Sequence, residues 1–70
     1  MNSSDTYVHF LQDVLITIHE NLRELRERKS FADDSELTYI DAKMMAYQEL
    51  LETLRMSAAD FGIDRTEIGL

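Results

Sequence analysis

Two runs of apolar residues that step alternately by three and four positions constrain this chain more than any other feature. A heptad frame puts Val8, Leu15 and Leu22 at a, with Leu11, Ile18 and Leu25 at d. After an interruption the pattern resumes, with Leu37, Met44, Leu51 and Ala58 at a and Ile40, Tyr47, Leu54 and Phe61 at d. Every a and d site over both spans is apolar or aromatic, which is the signature of helices that pack along a seam. No proline occurs, and the only glycines are Gly62 and Gly69, so backbone chemistry leaves the first 61 residues free to be helical.

The interruption is "SFADDSE", residues 30–36, where short polar side chains compete with the helical backbone. Asp33 followed by Glu36 has the spacing of a capping box. The basic segment "RELRERK" precedes this turn and acids follow it, as the two helix dipoles prefer. These signals predict one domain with a first helix over 4–29, a turn over 30–33 and a second helix over 34–61. A tail over 62–70 is expected to be partly disordered or to fold back near Phe61. Ser3 or Ser4 would cap the first helix, and Gly62 would close the second in a left-handed conformation. A short turn between helices of similar length makes them antiparallel neighbours. The fold class is therefore all-α, an αα-hairpin with a coiled-coil-like seam. Phe31 would plug the closed end over Leu37, and Arg26 would pair with Asp41.

Seventy residues without cysteine can use neither a disulfide nor a thiolate metal site to supplement a small core. Regular helix packing and oligomerisation are the remaining means. The stretch "YVHFLQDVLITI", residues 7–18, has eight apolar or aromatic residues in twelve, more than the roughly three per seven that one buried face requires. In the heptad frame the surplus falls on the g positions and the adjoining c positions. The first helix contributes Tyr7, Phe10, Val14 and Thr17; the second contributes Ala46, Leu50, Thr53 and Ser57, with Val14 expected close to Leu50. The opposite, e flank is polar, with Gln12, His19 and Arg26 against Asp41, Gln48 and Arg55. The apolar flank reads as a partner surface, and its first expected occupant is a second copy, giving a homodimeric four-helix bundle. Another protein is the alternative occupant.

Charge narrows the function further. Fourteen Asp and Glu against seven Lys and Arg give −7, which disfavours direct nucleic-acid binding. The longest apolar run, "VLI" at 14–16, is far too short to span a membrane, and "MNSSDTY" lacks a basic leader; the expected setting is the cytoplasm. Chemistry is sparse. His9 and His19 form no metal-ligand spacing, and no nucleophile elbow or phosphate loop occurs. Neither cofactor nor catalytic residue is expected.

Glu24-x-x-Glu27 and Glu49-x-x-Glu52, separated by 21 residues, loosely resemble the paired acidic motifs of the all-α nucleotide pyrophosphohydrolases. That resemblance implies magnesium bound by the four glutamates. It departs from the family in ending its second motif with Glu rather than Asp, and the heptad frame turns all four residues away from the seam. A further alternative is an acidic mimic of nucleic acid, built on Asp13, Glu20, Glu24, Glu27, Glu49 and Glu52 and interrupted by Arg23, Arg28 and Arg55. The favoured expectation is a small, acidic, non-enzymatic interaction module: an adaptor, chaperone-like subunit or regulator. Accessory proteins of phages and mobile elements are often of this type.

Overall fold

The computed structural model describes residues 3–70 and contains three helices, α1 (Ser3–Lys29), α2 (Asp34–Asp60) and α3 (Arg65–Ile68). The expected capping by Ser3 or Ser4 lies outside the described side chains. α1 and α2 pack along one another with opposite chain sense, as the reversed order of their cross-contacts on the turn side shows. Lys29 Nζ lies 2.9 Å from an Asp41 carboxylate oxygen, and the Asn21 amide donates to the Tyr47 hydroxyl at 3.2 Å. Asp41 therefore pairs with Lys29, at the last turn of α1, and not with Arg26. Both partners are about half exposed, so the pair is worth about 0.5 kcal/mol.

The break between the long helices is made by the residues that signalled it. Backbone N–H groups of Ser30, Phe31 and Ala32 donate to the carbonyls of Glu27, Arg28 and Lys29, tightening the end of α1 into i→i+3 bonds. Asp33, in an extended conformation, then caps α2 by accepting from the Glu36 N–H at 2.9 Å and from the Ser35 hydroxyl at 3.1 Å. Phe31 does not plug the closed end; it is 88% exposed, while its neighbour Ala32 is half-buried. The run of i→i+3 bonds fixes Phe31 in a turn that leaves its ring in solvent.

The seam holds from its middle to the turn and fails at the open end, where Val8 is exposed. Leu15, Ile18, Leu22, Leu25, Ile40, Leu51 and Ala58 are buried, and Leu11, Met44, Tyr47 and Leu54 are partly buried against them. Phe61, assigned to the seam, is 82% exposed. α2 stops at Asp60, one residue earlier than the periodicity suggests, and Phe61 becomes its C-cap. Gly62 follows with φ +66°, its N–H donating to Ala59 O, while Ile63 N–H donates to Ala58 O. This is a Schellman closure, which satisfies the last carbonyls and diverts the chain from the heptad path.

The tail contains the short helix α3. Asp64 caps α3 by accepting from the Thr66 N–H and hydroxyl at 3.0 and 2.7 Å, and Gly69, with φ +88°, closes it. Ile68 is buried in the same cluster as Leu15, Ile18, Leu22 and Leu51, and Leu70 packs beside it. A single helical turn is unstable alone. Burial of Ile68, with Leu70 partly buried beside it, ties this turn to the long helices.

Candidate interaction flank

α3 sits on one side of the α1–α2 seam and leaves the other open. Its side is marked by contacts with the e positions of α1: the Gln12 side-chain amide donates to Glu67 O at 2.7 Å, and a hollow of about 250 Å³ is lined by Gln12, Ile16 and His19 with Thr66, Glu67 and Ile68. The flank expected to be polar and solvent-facing is thus the one that the tail partly covers.

Among the described residues, none covers the opposite flank in this way. Tyr7, Phe10, Val14, Thr17, Ala46, Leu50, Thr53 and Ser57 are all exposed, with Tyr7 at 68% and Phe10 at 63%. Its polar members are less polar than their names suggest. Thr17 and Thr53 donate their hydroxyls to the carbonyls of Asp13 and Glu49, four residues back at 3.2 and 3.0 Å. With the hydroxyl engaged in its own helix, each threonine adds mainly a methyl group to the surface.

The flank changes character along its length. Around Phe10, Val14, Ala46 and Leu50 its members are uncharged, with Asp60 at the open end, whereas towards the turn it becomes a polar hollow lined by Asn21, Glu24, Arg28, Lys43 and Tyr47. There the Lys43 ammonium donates to the Tyr39 hydroxyl at 3.2 Å and stands 5.5 Å from that ring's centroid. Other large apolar side chains are exposed outside the flank, notably Ile16, Met45 and Met56. They belong to b and f positions and form no stripe with the eight.

The acidic residues are distributed differently. Glu24, Glu27, Glu49 and Glu52 are exposed, and Glu52 lies 3.4 Å from Arg55. Among the described residues no group of three or more His, Asp or Glu side chains is placed to hold a metal ion. Two carboxyls are held below their ordinary range. Asp33 is lowered first by the Glu36 N–H and then by the Ser35 hydroxyl. Asp64 is lowered first by the Thr66 hydroxyl and then by the Thr66 N–H. Both are helix caps. No described helix is long and apolar enough to cross a membrane. No family model, no curated protein and no solved structure matches the chain.

Proposed function

We propose that this protein is a non-enzymatic interaction module that docks through the flank containing Tyr7, Phe10, Val14 and Leu50, and that its first partner is a second copy of itself. The observation that carries this reading is one-sided closure. α3 covers one flank of the seam, while the flank richer in apolar residues stays open. Solvent-facing apolar side chains gathered on one side of a small domain mark an association surface. Packing two such flanks together would turn two helix pairs into a four-helix bundle with a coiled-coil-like core.

Light scattering tests the reading. The wild-type chain at micromolar concentration is expected at twice its chain mass. Val14→Glu and Leu50→Glu each place a carboxylate where a partner would have to bury it unpaired, and both should give the single-chain mass with helix retained. Gln48→Glu, on the flank beside α3, should leave association intact. A wild-type monomer with full helicity and a sharp thermal transition would defeat the proposal.

A further inference from the structure

We infer that the two copies lie parallel, with their turns at the same end, so that α1 of each faces α2 of the other; this rests on the flank pairing proposed above. Surface area first argues for a second copy as the occupant. The chain exposes 5403 Å² at a mass of 8.2 kDa. A compact monomer of that mass exposes about 4,500 Å². The excess, about 900 Å², is close to the roughly 800 Å² that one partner contributes to a standard interface. A two-fold interface must also be complementary to itself. Two chains of net charge −7 repel each other, and the uncharged stretch around Phe10, Val14 and Leu50 is where they can meet without opposing like charges.

Orientation follows from the change of character along the flank. A fully overlapped antiparallel pair would lay Tyr7 and Phe10 on Glu24, Arg28 and Lys43, removing charges from water with no countercharge opposite. A staggered antiparallel pair could avoid that by overlapping only the uncharged stretch. That stretch spans residues 7–17 of α1, about 16 Å of helix, and two helices side by side are about 20 Å wide. Its footprint is then roughly 320 Å², well short of the excess. A parallel pair uses the whole length of the long helices, about 40 Å, for a footprint of roughly 800 Å². A two-fold along the bundle axis sets α1 against α2 at equal height. Val14 then meets Leu50 across the interface, and Glu24 meets Lys43, a charge of opposite sign.

The absence of cysteine makes the test direct. Spin labels are placed singly at Ser30→Cys, beside the turn, and at Ala59→Cys, near the open end, both exposed positions. Circular dichroism first confirms that each labelled protein keeps its helix content. Dipolar distance measurement on the parallel dimer should give both pairs separations set by bundle width, about 20–35 Å. A Ser30 pair separated by about 40 Å or more, the length of the long helices, overturns the orientation while leaving the dimer standing. Absence of dipolar coupling in both proteins, with single-chain mass, overturns the pairing itself.

Discussion

Asp33 and Asp64 show how single residues set the limits of this fold. Each carboxylate accepts hydrogen bonds at a helix start that its protonated form would accept less well, so its folded pKa lies below the ordinary 3.8. A depressed folded pKa means that the contribution is complete above the unfolded value and is lost as pH falls through the folded one. Thermal stability should therefore decline as pH drops below about 3.8, and Asp33→Asn, which keeps an accepting oxygen but cannot titrate, should flatten part of that decline. Melting curves from about pH 5 to about pH 2 would check this, and an unchanged acid limb in the variant would count against the cap as its cause. Apolar residues divide as sharply. Leu51 is 1% exposed and Phe61 is 82% exposed, although both occupy seam letters in the heptad. Leu51→Ala should cost about 2–5 kcal/mol, and Phe61→Ala about 0.5 kcal/mol or less, in chemical denaturation.

Among the elements, α3 is the shortest, its four residues attached through Ile68, the neighbouring Leu70 and the Gln12–Glu67 hydrogen bond. Removing residues 63–70 should lower the melting temperature while preserving most of the helical signal. It should also raise binding of a hydrophobic dye, because Leu15, Ile18, Leu22 and Leu51 lose the side chain that covers them. Equal dye binding by the truncated and full chains would show that the tail covers nothing. The same element explains what was legible in the sequence. α1, α2 and their turn could be read because seam periodicity over 27 residues and the Asp33–Glu36 spacing agree. α3 spans a single turn, too short for periodicity to register. Its caps were nevertheless present as Asp64 with Glu67 three residues on and Gly69 beyond. Phe61 leaves the seam because a heptad frame does not encode where a Schellman closure stops the helix. The apolar surplus around Phe10 and Val14 is visible in the sequence, and both side chains are exposed. Which flank the tail would cover depends on Ile68 reaching residues some fifty positions away, a contact that no local pattern encodes.

For the whole molecule, net charge and apolar docking oppose one another. Each copy carries −7, so the pairing proposed here must overcome mutual repulsion that dissolved ions screen. Self-association should therefore tighten as salt rises, whereas capture of a basic protein by the acidic outer face should weaken. Sedimentation at low and high ionic strength separates the two, and a dimer that dissociates with added salt would point to charge as its cement. The placement of α3 also fixes an order of events in folding. Docked onto an unformed chain, it would close the 55-residue separation between Gln12 and Glu67. Bridging that span costs about 2 kcal/mol more than closing the four-residue turn. Once α1 and α2 have zipped together from that turn, only the short connector around Gly62 remains to be ordered. The carboxyl-terminal segment should thus be the last to arrive and the first to leave. Native-state hydrogen exchange should reveal this as amides of residues 65–70 opening at a free energy well below that of Leu15 and Leu51.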